Sequence, residues 1–346
     1  MPNLQDVAKL AGVSIATVSK VISNTPYVAE ATRQKVMSAI HEIGYRPNLA
    51  ARALSSGKTH IIAVAFPYVF DALFKDPLVL AILEGIESVL NKHSYNLLLS
   101  TPRLQAGGVD ESYLNLLESG YVDGLIAIDS VPIASAAHFA QERQIPTVVI
   151  GYHESPYSVR CDDRQGGALM LQHVLDLGHQ HIGIITVPST MNFAVNERIE
   201  GIRQLAHQRG LDFDSFPCVD SDFSMQGGGI AAEQLLRQYP HLTAILCIND
   251  RMALGAIQQL QQFGVRVPQD VSIMGYDNLT MSEVANPPLT TVNQHATLLG
   301  QSAAEILFEV LENQTSSPRI LPAALIERQS TAHPRQAPLV QLTGKE

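Results

Sequence analysis

The stretch "TAILCINDRMALGAIQQLQQFGVRVPQDVSIMGYDN", residues 243–278, reads as strand, helix, strand. Residues 243–249 form an apolar run of strand length. Residues 251–264 carry apolar side chains at helical spacing and close on Gly264 as a C-terminal cap, with Pro268 beyond it. Residues 271–277 are apolar again. Strands apolar on both faces belong to parallel sheets covered by helices on either side.

Working outward, the same unit recurs. Strand-like runs stand at 60–66 ("HIIAVAF"), 95–100 ("YNLLLS"), 122–128 ("VDGLIAI"), 146–152 ("PTVVIGY") and 181–186 ("HIGIIT"), with helix-period segments such as "LVLAILEGIESVLNKH" between most of them. Four units before about residue 160 and three or four after it exceed what one open sheet comfortably holds, so the body is expected to be two doubly wound lobes. Such sheets bind ligands beyond the carboxyl ends of their strands, and a crevice between two lobes has two sets of these ends facing it.

Composition agrees with a globular chain of two or three domains: 346 residues, 46% apolar and 16% charged. No window has the run of apolar residues that a membrane span needs, and Asp6 and Lys9 interrupt any secretory core at the start, so a cytoplasmic protein with no membrane partner is expected. Cys161, Cys218 and Cys247 are odd in number and far apart, which argues against a disulfide framework or a cysteine zinc site. They read as small buried hydrophobes. The net charge of -10 is unevenly spread. Residues 1–58 hold seven cations against three acids, a net +4, which leaves -14 for the rest. If the partner is a polyanion, the first part approaches it.

That basic start contains "VSIATVSKVIS", residues 13–23. Asn3 can cap a first helix, "LQDVAKLAG", with Asp6 three residues on and Gly12 ending it. A second helix begins after Ser14, with Ile15, Val18, Val21 and Ile22 at helical spacing; a third supplies Val36, Ile40 and Ile43. Three short helices, the turn at 11–14 and local positive charge indicate a DNA-binding helix-turn-helix.

"LQDVAKLAGVSIATVSKVIS" and "ATRQKVMSAIHEIGYRPNLAARALSSGKT" resemble the headpiece of the lactose and purine repressor family of bacterial transcription regulators. "DPLVLAILEGIE", "VDGLIAI", "GHQHIGIIT", the 249–278 stretch and "PPLTTV" are similar to that family's effector domain, so the likeness runs from residue 3 to about 331. It implies an α/β protein with a three-helix helix-turn-helix headpiece and a two-lobed, periplasmic-binding-protein-like body of doubly wound parallel sheets. The expected division is a headpiece at 1–47, a hinge helix and linker at 48–59, an effector-binding and dimerisation domain at 60–333 and a tail at 334–346. Lobe 1 would take about 60–160 and 292–322, and lobe 2 about 161–291 and 323–333.

The resemblance also implies roles. The second helix would enter the major groove of operator DNA, where each base pair shows a distinct donor and acceptor pattern. Ser14 opens it, Ile15 and Ala16 stand at the most variable reading positions, and Thr17, Ser19 and Lys20 would serve phosphates or nearby bases. Being apolar, Ile15 and Ala16 can meet a thymine methyl but cannot make a bidentate bond. Asn48, Ala51 and Leu54 fall in the hinge helix, with Leu54 matching the leucine wedged into the minor groove. Ala29 stands where relatives usually have a capping serine. In the body, Arg198, Asn249 and Asp277 follow strands and match effector-binding positions. A guanidinium, an amide and a carboxylate converging in a crevice suit a polyhydroxylated ligand. Asn192 and Ala194 lack the groups expected of purine binders. Phe223 either stacks on a ligand ring or is a buried aromatic at a strand end. Leu78 and Val79 replace the aromatics common at the entrance.

The expected function is a repressor, a homodimer on DNA, switched by a small sugar or sugar derivative, with no cofactor and no enzymatic activity. A nucleobase or nucleoside is the alternative ligand, and a solute-binding protein for transport the alternative class, which a secretory leader would mark. "GGG" at 227–229 lacks a P-loop ending and reads as close helix packing. His173, His179 and His181 lack metal-ligand spacing. The tail is too short for a tetramerising zipper.

Overall fold

The computed structural model describes residues 2–22, 27–45, 57–66, 75–105, 108–129, 136–152, 154–190 and 192–336. The chain divides into two compact units, Met1–His60 and Ile61–Glu346.

The first unit holds α1 (Leu4–Ala11), α2 (Ile15–Ile22) and α3 (Glu30–Ile43). Asn3 closes a full capping box: its Oδ1 accepts the N–H groups of Gln5 and Asp6, and the Asp6 carboxylate accepts the Asn3 N–H at 2.9 Å. Gly12 ends α1 at a φ of 66°, a left-handed setting that glycine adopts without strain. Val7, Ala8, Val18, Val21, Val36 and Ala39 close a small core, with Ile40 and Ile43 half-buried at its edge. Ala29 makes no side-chain cap for α3.

Among the described residues the second unit contains two large sheets and two small two-stranded ones. The first runs in the order β13-β7-β6-β5-β1-β2, all parallel: β1 (Ile61–Ala65), β2 (Asn96–Ser100), β5 (Gly124–Asp129), β6 (Thr147–Gly151), β7 (Ser158–Cys161) and β13 (Arg319–Leu321). Helices α4 (Pro77–Lys92) and α12 (Ala296–Leu311) cover one face, α5 (Glu111–Glu118) and α6 (Ala136–Glu142) the other. Leu78 packs on this core and Val79 is buried. A small hairpin, β3 (Leu104–Gln105) with β4 (Gly108–Val109), lies between β2 and α5 in the chain.

The second sheet, β11-β10-β8-β9, is also parallel: β8 (Ile182–Thr186), β9 (Cys218–Asp220), β10 (Ala244–Cys247) and β11 (Ser272–Met274). Its two cores explain the unbroken apolar runs. Ile184 and Leu246 face α7 (Asp163–Asp176) and α8 (Phe193–Gln208), whereas Ile185, Ile245 and Cys247 face α9 (Met225–Gln238) and α10 (Asp250–Gln262). Cys161 and Cys247 are buried as expected. Cys218 is not: it lies exposed on the edge strand β9, where one flank of the sheet has no neighbour. The glycine run serves packing, since a methyl on Gly228 would strike the Met252 backbone of α10.

The lobes are joined by three passages of chain: β7 into α7, β12 (Thr291–Asn293) into α12, and β13 into β14 (Ala324–Ile326), with β12 and β14 paired antiparallel. The short α11 (Thr280–Glu283) follows β11. The histidines singled out in the sequence fasten the returning segment under the second sheet. His173 Nε2 meets the Thr331 hydroxyl at 2.9 Å, and His179 Nε2 donates to the Ala332 carbonyl at 2.8 Å. Among the described residues no helix is long and apolar enough to cross a membrane.

Candidate DNA-reading face and effector cleft

Helix α2 divides cleanly. Val18 and Val21 point into the headpiece core, while Ser14, Ile15, Ala16, Ser19 and Lys20 are exposed and Thr17 is half-buried. Ile15 keeps 44% of its surface open, an unfavourable setting for an isoleucine unless something covers it. Ser14 also has a structural task. Its Oγ accepts the Thr17 N–H at 3.1 Å and lies 2.9 Å from the Thr17 hydroxyl, so it caps the helix. Asn48, Ala51 and Leu54 lie outside the described residues.

In the body, the expected residues gather where the second sheet ends. Arg198 lies within α8 and is 6% exposed. Its Nε donates to Asp163 Oδ1 at 2.8 Å, its Nη1 donates to the Ile248 carbonyl at 2.7 Å, and Nη1 stands 3.9 Å from Asp277 Oδ1. The guanidinium lies over the Tyr276 ring at 3.7 Å. Among the described residues Nη2 donates no hydrogen bond, so Nε and Nη1 are held by the protein and the two N–H groups of Nη2 are spare. Burial opposes the charge, yet Asp163 first and Asp277 after it hold the guanidinium protonated above its ordinary range.

Close helix packing makes this geometry. A methyl on Gly167 of α7 would land on the Arg198 carbonyl, and one on Gly201 of α8 would land on the Arg164 carbonyl. Without these two glycines, α7 and α8 could not approach closely enough for Arg198 to reach Asp163.

Asp277 follows β11 at a φ of 122°, and Phe223 precedes α9 at 65°. Left-handed settings at residues other than glycine cost on the order of 1–3 kcal/mol and gather at functional sites. Asp277 donates its N–H to the Val292 carbonyl at 2.8 Å and accepts the Gln294 side-chain amide, so a lobe crossing fixes it. Burial, with Asp250 and Asp76 adding to it, pushes its carboxyl up against the pull of Arg198. Phe223 is half-buried against the lobe-2 core, and its carbonyl accepts the Asn249 amide at 3.2 Å.

The two asparagines prove to be helix caps. Asn249 Oδ1 accepts the Met252 N–H at 2.8 Å at the start of α10, and Asn192 Oδ1 accepts the Val195 N–H at 3.2 Å at the start of α8. Each has its acceptor committed and can offer a ligand little beyond its amide.

Five residues of the site escaped the sequence reading. Asp163 and Tyr276 hold Arg198, the Tyr276 hydroxyl donating to Asp163 at 3.2 Å. Asp250 is fully buried and accepts from Leu279 N–H at 2.8 Å, Ser282 at 2.6 Å and Thr291 at 2.5 Å; burial pushes its carboxyl up to about 6 in spite of these bonds. Arg251 reaches across the cleft and donates to Asp76 Oδ2 at 3.3 Å, while Asp76 Oδ1 caps α4 through the Leu78 N–H. That pair ties lobe 2 to lobe 1. Asp250 could have been found as an acid directly after a strand in an otherwise apolar unit; the pairing of Asp163 with Arg198 had no local signal.

Residues 3–48 match the family described as bacterial regulatory proteins, lacI family, and residues 171–331 match a periplasmic binding protein-like domain. The HTH-type transcriptional repressor PurR of Aliivibrio salmonicida is 33% identical over 92% of this chain and 95% of its own length. The chain belongs to the lacI family of bacterial regulatory proteins. This lacI-family chain is similar in structure to the Lac repressor dimer bound to operator and the anti-inducer ONPF, with a TM-score of 0.83 at 28% identity over 96% of this chain and 99% of that one. A complex of the transcriptional regulator CelR with cellobiose gives 0.71 at 31% identity, over 95% of this chain and all of that one. A lacI-family member is a DNA-binding transcriptional regulator.

Proposed function

We propose that the protein is a repressor whose operator affinity is set by a small sugar or sugar derivative bound between the two lobes. The observation that carries the ligand reading is Arg198: a buried guanidinium whose Nε and Nη1 are held by Asp163 and Ile248, with Nη2 spare among the described residues, beside the Asp277 carboxyl. A fixed donor next to a carboxyl group matches the paired hydroxyls of a sugar ring. The likeness to a regulator solved with cellobiose supports the same class. A nucleobase is the second reading, favoured by the half-buried aromatic Phe223, whose backbone carbonyl is held by the Asn249 amide at the start of α10.

On the DNA side, α2 reads one half-site through Ile15 and Ala16, with Thr17, Ser19 and Lys20 alongside, and two copies of the chain bind a pseudo-palindrome. Asn48, Ala51 and Leu54 complete the contact from a hinge at 48–59, between a headpiece at 1–47 and a body at 60–333.

The test is a thermal-shift screen of the full chain against sugars and nucleobases, because a ligand of the native state raises its melting temperature by mass action. Hits should weaken or strengthen operator binding in a mobility-shift assay. If the chain retards random DNA as strongly as its operator, specific repression is refuted.

A further inference from the structure

The Asp277 carboxyl takes its direction from a turn in unfavourable backbone geometry. Asp277 and Asn278 are consecutive, neither is a glycine, and both stand in the left-handed region, at φ of 122° and 59°. Such settings persist where the surrounding structure over-determines them. The N–H groups along the turn are all bonded. Asp277 donates to the Val292 carbonyl at 2.8 Å, Asn278 to the Thr291 hydroxyl at 3.4 Å and Leu279 to Asp250 Oδ2 at 2.8 Å. The middle bond is long for a hydrogen bond, so the backbone alone holds Asn278 weakly.

The Asn278 side chain supplies the missing hold, through a residue 50 positions away. Arg328 is half-buried and lies on the chain that returns from β14. Its Nη2 donates to Asn278 Oδ1 at 2.7 Å, its Nη1 to the Leu289 carbonyl at 2.8 Å, and its backbone N–H to the Thr290 hydroxyl at 3.0 Å. A planar guanidinium bonded through both terminal nitrogens has little freedom to turn, and a charged donor bonds more strongly than a neutral one. The same cation acts on Asp250. Burial pushes that carboxyl up, and the bonds from Ser282, Thr291 and Leu279, with the Arg328 charge after them, pull it back. Arg328 therefore serves both supports of the turn: it bonds Asn278, and it favours the carboxylate that accepts from Leu279.

We propose that Arg328 is a positioning residue of the effector site, acting through Asn278 to hold the turn that keeps Asp277 aimed beside Arg198, on the reading that Asp277 meets the effector.

The experiment compares four full-length chains: the parent, Arg328→Gln, Asn278→Ala and the double variant. Asn278→Ala cuts the bond to Arg328 while leaving Arg328 on Leu289, so it separates the turn from the other tasks of the guanidinium. Deuterium exchange read by mass spectrometry needs no ligand. Residues 275–282 should exchange at least about tenfold faster in each variant, with β8 and α10 as in the parent. Unchanged exchange at 275–282 overturns the inference. Faster exchange throughout lobe 2 overturns it too, because Arg328 then supports the lobe as a whole. Calorimetric titration with cellobiose, ribose and guanine is the second arm. A probe whose binding Asp277→Asn abolishes should bind each single variant at least about tenfold more weakly, and the double variant within about twofold of the weaker single one, since both substitutions cut one bond. Parental affinity in both single variants, or losses that add in the double variant, overturns the inference. If none of the three probes binds, or Asp277→Asn leaves binding unchanged, it is the cleft reading that fails, and exchange still decides whether Arg328 holds the turn.

Discussion

Replacing Arg198 by alanine should destabilise the body before it says anything about ligand. The guanidinium is 6% exposed and, among the described residues, is the only cation bonded to Asp163, a carboxylate 2% exposed. Removing one partner of a buried pair leaves the other charged and uncompensated, which costs about 3–5 kcal/mol. The Tyr276 hydroxyl, donating at 3.2 Å, offsets little of this, and the ring loses its cation–π contact. At about 2–4 °C per kcal/mol for a unit of this size, the melting temperature should fall by roughly 6–20 °C. Calorimetry of the full chain measures it. The partner substitution is the control: Arg198→Met with Asp163→Asn removes both charges, and should recover at least about half of the loss. An Arg198→Ala protein melting within about 2 °C of the parent would refute this reasoning and free the guanidinium for ligand alone. Loss of effector response in Arg198→Ala therefore identifies no ligand contact unaided, and Asp277→Asn is the cleaner probe.

Other expectations test separate parts of the account. Asp250 has its folded-state pKa raised to about 6 from an ordinary 3.8, so the native state holds its proton longer than the unfolded chain. Its stabilising effect is present below about pH 4 and lost as pH rises through about 6, so the parent should lose on the order of 3 kcal/mol relative to Asp250→Asn across that window. Urea unfolding of both proteins at pH 4 and 7 shows this, and parallel pH curves would contradict it. Gly167→Val should unfold or strongly destabilise the chain, because its side chain meets the Arg198 backbone, which cannot yield as a flexible side chain can. Circular dichroism at 25 °C decides, and a native-like melt would show that α7 and α8 can separate. Arg251→Gln should cost at most about 1 kcal/mol of stability, since the Asp76 pair is partly exposed, and should change effector affinity by opening the tie between lobes. Unaltered affinity in calorimetric titration would show that the pair does not restrain closure.

The fold was legible because burial on two faces leaves a one-dimensional trace. All seven apolar runs became strands, and the Asn3 box and Gly12 cap stood where residue chemistry places them. Strands β3, β4, β7, β9, β12, β13 and β14 were missed, being two to four residues long, with too few positions to show a period. The site was legible by residue type and less so by role. Asn192 and Asn249 follow strands, but the same position starts a helix, and a cap and a ligand contact ask for the same side chain. Asp163 and Arg198 are 35 residues apart, joined only because glycines bring α7 onto α8. Cys218 was misplaced because exposure at a sheet edge depends on strand order, which no local pattern carries.

The central claim, a regulator switched through its cleft, is tested most directly by fluorescence-anisotropy titration of labelled operator, with and without the ligand found by screening, for the parent and Asp277→Asn. Operator affinity without ligand is the control for intact folding. The account expects ligand to change the parent's operator Kd by about 5- to 150-fold, the usual range of allosteric coupling, and to leave the Kd of Asp277→Asn unchanged at the same concentration. A variant that responds to ligand as the parent does would contradict it.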